Sequence, residues 1–209
     1  MGFGWKCFGK VFLTQGCGAT IVTSLDQRSE DLKKGPLKGL YISNHLSMAD
    51  IPLVATIYQI PPVMKKEVLY LPVVGLIAWA SGAMPVSRSK ISSRKKVLKE
   101  TMRRLKNNVA VQIYPEGTRS KTGEPKTTAE IKQSLLYYAY ENNIPVIPTS
   151  LYGTQHLLSS VKVNPRTKLG IIVHAEIYPK DFPEANDFIN ACWGKVLEGV
   201  QLMKVDPSF

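Results

Sequence analysis

Short apolar runs of strand length recur along this 209-residue chain, separated by stretches with helical spacing, and that alternation constrains its fold most. Leu40–Ser43 reads as a buried strand, Val109–Ile113 as β-rich, and Ile144–Leu151 and Leu169–Ile177 as further strands. Between them, Ile51–Ile60 (closed by Pro61-Pro62), residues 91–106, Ala129–Tyr140 and Ala185–Met203 read as helices. Strands alternating with helices predict an α/β fold: a single domain with a largely parallel sheet flanked by helices. Polar residues 26–39, with Lys33-Lys34-Gly35-Pro36, read as a connector, and Gly117–Lys126 as a loop.

Two segments invite a membrane reading. Residues 68–87 carry no charge over twenty positions, but Pro72, Gly75, Gly82 and Pro85 interrupt them, which predicts a core helix and a short strand rather than a span. Residues 1–25 mix Phe3, Trp5, Phe8, Val11, Phe12 and Leu13 with Lys6 and Lys10. That mixture predicts a short membrane-interface helix, with residues 26–209 forming the main domain; a terminal helix packed on the domain is the alternative.

The formal net charge of +11 calls for an anionic partner: a lipid surface, a phosphorylated substrate, an acidic carrier protein or nucleic acid. Nucleic acid is the weakest of these, because no reader motif is present. Much of the charge falls on residues 91–106, where Arg94, Lys95, Lys96, Lys99, Arg103, Arg104 and Lys106 face only Glu100 around an apolar seam of Ile91, Leu98, Met102 and Leu105. This is either a solvated outer face or a surface for anionic lipid or an acidic carrier. Cys7, Cys17 and Cys192 form no CxxC pair and no ligand spacing with histidine, so neither a disulfide framework nor a metal site is expected.

Chemistry concentrates in two segments, each straight after an apolar run. In Asn44-His45-Leu46-Ser47-Met48-Ala49-Asp50 an imidazole precedes a carboxylate by five positions. On a continuous helix the two would diverge by about 140°; a turn between them lets Asp50 fold back on His45. The carboxylate would then hold the tautomer and stabilise the imidazolium, leaving His45 as a general base. Ser47 and Asp50 also have capping-box spacing, the structural alternative for both. The second segment is Tyr114-Pro115-Glu116-Gly117-Thr118-Arg119-Ser120. Gly117 permits close backbone approach, and Thr118 and Arg119 offer donors to phosphate or hydroxyl oxygens. Arg88, ending the uncharged run, is a second phosphate-ligand candidate. No Gly-x-Ser-x-Gly elbow, Walker loop or dinucleotide fingerprint is present.

These residues resemble the 1-acylglycerol-3-phosphate acyltransferases within the wider glycerolipid acyltransferases. The first motif of that family is matched by Asn44, His45, Ser47 and Asp50, and the second by Gly82 through Arg88. The third is matched by Tyr114 to Ser120 and the fourth by Ile144 to Pro148. Lys65-Lys66-Glu67 is similar to the Lys-Glu segment that precedes the second motif. The resemblance implies a mixed α/β sheet flanked by helices at a membrane face, making residues 26–209 an acyltransferase domain. It implies transfer of an acyl group from acyl-CoA or acyl-carrier protein to the sn-2 hydroxyl of 1-acylglycerol 3-phosphate, forming phosphatidic acid without a cofactor or metal. His45 is then the base and Asp50 its partner. Arg88, Glu116, Gly117, Thr118 and Arg119 bind the acceptor, and Asn44, Ser47 and Lys66 support the site. Partners would be anionic membrane lipid, the lysophospholipid acceptor and an acyl carrier. The expected location is the cytoplasmic face of a membrane, peripheral or shallowly inserted. Another lysophospholipid or glycerol 3-phosphate as acceptor, and a non-catalytic basic membrane-binding module, are the competing readings. Ser87 stands where the family frequently has an acidic residue.

Overall fold

Alternate side chains of a strand point to opposite faces, and in the central strands both sets are apolar, so both faces of the sheet must be covered. In β2 (Leu40–Ser43) Tyr41 packs in one core, while Leu40 and Ile42 pack in the other. In β6 (Val146–Tyr152) Ile147 and Leu151 go to the first core and Val146 to the second. The result is a three-layer α/β/α arrangement. The computed structural model describes residues 7, 9–25, 38–58, 60, 63–70, 84–86, 91–157 and 163–206.

The five-stranded sheet has the order β1-β7-β6-β2-β5, with β1 at Thr20–Leu25, β5 at Val111–Ile113 and β7 at Lys168–Val173. β2 runs parallel to both β5 and β6, with Leu40 opposite Val111 and Val146. β6 and β7 pair antiparallel, and β1 returns parallel to β7. The sheet is therefore mixed, and its parallel trio is β5-β2-β6. A separate parallel pair joins β3 (Val63–Lys65) to β4 (Met84–Val86).

The first face is covered by α1 (Asp50–Ile57) and the N-terminal segment, whose Leu13 is fully buried beside Leu53 and Ile147. α2 (Ile91–Lys106), α3 (Ser134–Glu141) and α5 (Ala185–Val205) contribute to the core on the second face, while α4 (Thr154–Leu157) follows β6. In α5 the buried residues Phe188, Ile189, Cys192, Trp193, Val196, Val200 and Met203 repeat at the spacing of one helical face. Full burial of such a side chain is worth roughly 1.5–3 kcal/mol, which makes α5 the main cover of that face. Its first turn carries Asp187 and its last Lys204, as the helix dipole favours.

Several expected boundaries shift for identifiable reasons. The helix expected over Ile51–Ile60 ends at Ile57, because Tyr58 turns extended to bury its ring in the core. There its hydroxyl lies 3.0 Å from Gln112 Oε1 and 3.2 Å from Thr149 Oγ1, and Gln112 Nε2 donates to Ser43 Oγ at 2.8 Å. The helix expected over Ala129–Tyr140 is split. Thr128–Glu130 is a 3-10 turn closed by a Thr127/Glu130 capping box, Ile131 is extended, and α3 starts only at Ser134. The strand expected through Ile177 stops at Val173, leaving Ile177 in a single bridge to Val146. The helix expected over 1–25 does not extend through that whole span. Residues 9–11 are helical and Phe12–Gly16 forms a π-turn, but Thr20–Leu25 is an edge strand paired to β7. Val11 and Phe12 remain exposed while Leu13 is in the core. The helix expected within residues 68–87 falls outside the described residues, apart from a short 3-10 turn ending at Tyr70; the strand expected there is β4. No helix among the described residues is long and apolar enough to cross a membrane.

Two glycines of α5 make opposite predictions. A Cβ at Gly199 would sit 2.3 Å from Ser150 Oγ and 2.7 Å from His174 Nε2, which are themselves hydrogen-bonded at 2.8 Å. Gly194 has nothing within 4 Å. Gly199→Ala should therefore cost about 1–3 kcal/mol from overpacking, whereas Gly194→Ala should add up to about 1 kcal/mol from helix propensity. Urea unfolding of the two variants checks both signs.

Candidate active site

Three loops converge because three adjacent strands run parallel. His45 follows β2, Tyr114–Glu116 follows β5, and Thr154 follows β6. All three therefore leave the same edge of the sheet, the carboxyl end, where open α/β sheets place their ligands.

The β2 loop is built on the Asp50 carboxylate, which is wholly buried. Oδ2 accepts the Leu46 and Ser47 backbone N–H groups at 2.7 and 2.9 Å and lies 2.7 Å from His45 Nδ1. Oδ1 accepts the Thr154 hydroxyl. An oxygen that already accepts two N–H groups is an acceptor toward the imidazole too, so the hydrogen-bond network assigns the proton to Nδ1. Nε2 is then the ring nitrogen with a lone pair to offer. The pairing with His45 and the capping geometry of Asp50 coexist: it folds back on Leu46 and Ser47 as an N-terminal cap would, and holds His45 with the same oxygen. Ser47 does not cap through its own side chain in the expected way, since its Oγ accepts Ala49 N–H at 3.0 Å. Asn44 continues the sheet beyond the last β2 residue: its amide donates to Leu151 O at 2.9 Å and accepts Leu151 N–H at 2.8 Å.

The β5 loop grips His45 at three points. Glu116 Oε1 accepts the His45 backbone N–H at 3.1 Å, His45 O accepts Ser120 N–H at 2.7 Å, and the Tyr114 ring stacks on the imidazole at 4.3 Å. The loop turns through a Gly117 N–H to Tyr114 O bond of 3.0 Å with Pro115 second in the turn, a position that suits its fixed φ. Gly117 sits at φ 71°, and a Cβ there would lie 2.6 Å from Lys132 Nζ, so the Lys132 side chain lies over the turn. From behind, α5 ties the loop through Trp193 Nε1 donating to Lys126 O at 2.8 Å and a Lys204–Glu124 ion pair.

Burial sets the electrostatics of this loop. Glu116 Oε2 is buried without a hydrogen-bond partner among the described residues. Burial is the main force raising the Glu116 carboxyl to about 7, opposed by the His45 N–H bond and by the charge of Lys126. Burial also raises the Tyr114 phenol, with the Asp50 charge adding to it, so this ring stays neutral against the imidazole.

The structure thus brings together His45, Asp50, Ser47, Asn44, Glu116 and Gly117. Thr118 and Arg119 are exposed beside them, with no hydrogen bond among the described residues. Lys66 is exposed in the 3-10 turn after β3, and no contact among the described residues joins it to His45. Arg88 lies outside the described residues. Sequence reasoning missed Thr154, Lys132 and the packing role of Tyr114. The aromatic at the head of the second segment was a signal for Tyr114; nothing local to Thr154 announces its bond to Asp50. Among the described residues, no cluster of three His, Cys, Asp or Glu side chains could hold a metal ion.

A family model described as Acyltransferase matches residues 26–152. A coconut (Cocos nucifera) 1-acyl-sn-glycerol-3-phosphate acyltransferase is 33% identical over 136 residues, covering 61% of this chain and 42% of that protein. The protein of the same description from Saccharomyces cerevisiae is 33% identical over 135 residues, covering 62% of this chain and 43% of its own. The chain spans less than half the length of these curated relatives. Among solved structures, the 1-acyl-sn-glycerophosphate (LPA) acyltransferase of Thermotoga maritima superposes with a TM-score of 0.79 at 25% identity, over 97% of this chain and 79% of that one.

The Glu116 carboxyl makes stability depend on pH with a definite sign. Its folded-state value of about 7 lies above the ordinary 4.5, so the folded state holds the proton more tightly. Stability from this group is complete below about 4.5 and is lost as pH rises to about 7. Glu116→Gln should therefore gain on the wild type across that window, by on the order of 3 kcal/mol, with no further change above it. Urea midpoints at a series of pH values measure the gap.

Proposed function

The chain belongs to the acyltransferase family, and from that premise we propose that it transfers a fatty acyl group from a thioester to the sn-2 hydroxyl of 1-acylglycerol 3-phosphate. One observation carries the reading: His45 Nδ1 lies 2.7 Å from a buried Asp50 carboxylate that backbone N–H groups also hold, beside the Glu116–Arg119 turn. The relatives named for this reaction support it.

In the proposed cycle the acceptor hydroxyl gives its proton to His45 Nε2 as its oxygen attacks the thioester carbonyl. Asp50 stabilises the imidazolium through Nδ1. The tetrahedral intermediate collapses with cleavage of the C–S bond, and the departing thiolate takes the proton back from Nε2. The product is the new ester and the free thiol, and the histidine returns neutral. The donor is acyl-CoA or acyl-carrier protein. The acceptor phosphate would meet exposed Arg119, Lys132, whose side chain lies over Gly117, and Arg88 from the second motif. The site would work at an anionic lipid surface, a reading supported by the net charge of +11 and by exposed Val11, Phe12, Met48 and Tyr70.

The test is an acyl-transfer assay crossing both donors with lysophosphatidic acid, glycerol 3-phosphate and other lysophospholipids. Turnover of lysophosphatidic acid is expected; turnover of only another acceptor would replace the substrate and keep the chemistry. His45→Ala should lower kcat by roughly 10²–10⁴-fold while sedimentation with anionic vesicles is unchanged. Lys132→Met should raise KM for the phosphate-bearing acceptor about tenfold or more, the loss of one charge-assisted contact, and leave KM for the donor unaltered.

A further inference from the structure

We propose that Thr154 is a positioning residue for the catalytic pair, delivered to Asp50 by the Gly153–Thr154 turn at the end of β6. The proposal rests on the reading of His45 as the base.

The two oxygens of Asp50 are held differently. Every donor to Oδ2 comes from the carboxylate's own loop, His45, Leu46 and Ser47. These contacts all come from residues 45–47 and tie the carboxylate only to its own loop. Among the described residues Oδ1 is held by one group, the Thr154 hydroxyl, from 104 positions away. Asp50 and Thr154 are both 0% exposed, so no solvent can substitute for that bond. Thr154 thus references the carboxylate to the sheet rather than to the loop.

The backbone around Thr154 is built for this placement. Gly153 has φ 86°, and a Cβ there would stand 2.1 Å from the Lys168 carbonyl oxygen. Strand β7 closes over the turn, and only glycine fits beneath it. The N–H groups of His156 and Leu157 bond back to Gly153 O, and Leu157 is fully buried, anchoring the turn in the first core. With its backbone so constrained, Thr154 directs its hydroxyl proton to the buried Asp50 Oδ1.

The consequence falls on the step in which charge develops. When His45 accepts the proton, stabilisation of the imidazolium depends on the Oδ2 lone pairs staying directed at Nδ1–H. Removing the hydroxyl leaves Oδ1 buried without its donor and takes away the carboxylate's tie to the sheet. Substrate binding does not involve Thr154, so the loss falls on turnover.

The experiment compares full-length wild type, T154V, T154A, T154S and H45A. It reads kcat, KM for each substrate, thermal unfolding, and the downfield proton resonance of His45 Nδ1–H in 15N-histidine-labelled protein. T154V is expected to lose about 10- to 100-fold in kcat, the usual effect of losing one hydrogen bond to a buried charge, with both KM values within about twofold and the Nδ1–H resonance displaced. T154S should restore kcat and the resonance. T154A carries the same expectations as T154V and replaces it if the valine variant does not fold. Wild-type kcat and an unmoved resonance in a folded hydroxyl-free variant would overturn the proposal. So would a change confined to KM, or failure of both hydroxyl-free variants to fold while T154S folds, which would make the hydroxyl a requirement of folding alone. An active H45A would remove the base reading itself, whereas an inactive H45A beside a fully active T154V would remove only the role of Thr154.

Discussion

A buried carboxylate must be satisfied or it destabilises the fold by several kcal/mol, and Asp50 is the buried carboxylate around which this domain is arranged. Its four donors come from the β2 loop and from the end of β6. The demand of Oδ2 for backbone N–H groups curls residues 45–47 away from helical geometry and sets the start of α1. The demand of Oδ1 brings the turn after β6 onto the same spot. The imidazole is the one donor of the set with a second ring nitrogen on its far side, so the groups that meet the cost of burial also fix the orientation of His45.

The second segment does more than the sequence reading assigned to it. Glu116, read as an acceptor-binding residue, spends one oxygen on the His45 backbone, and Tyr114 supplies the surface on which the imidazole lies. Side chain, N–H and C=O of His45 are thus each held by a different group, which leaves the ring little freedom. The second Glu116 oxygen stays buried without a partner among the described residues, and what faces outward is the Gly117 turn with Lys132 over it and exposed Thr118 and Arg119. One loop therefore divides into a half that clamps His45 and a half exposed to solvent.

Legibility followed locality. α2 and α5 matched their expected spans because an apolar seam at helical spacing is a property of the segment alone. β2 was legible for a similar reason, since four consecutive buried residues leave a strand few alternatives. The misreadings involve distant partners. Residues 129–140 look helical, but the Thr127/Glu130 box and the Lys132 N–H bond to Pro115 O, at 2.9 Å, break the helix. Thr20–Leu25 became a strand by pairing with Lys168–Val173, which no local pattern could announce.

The sequence by itself determined the α/β class and singled out the His45–Asp50 pair and the Tyr114–Ser120 segment, because residue type and short spacing carry that information within one loop. Which groups complete the site was decided by tertiary structure. The parallel trio β5-β2-β6 sends three loops to one edge, and only there do Glu116, 71 positions from His45, and Thr154, 104 positions from Asp50, become hydrogen-bond partners. A hydrogen bond requires contact at about 3 Å, and strand order, which is written into no single segment, is what creates it.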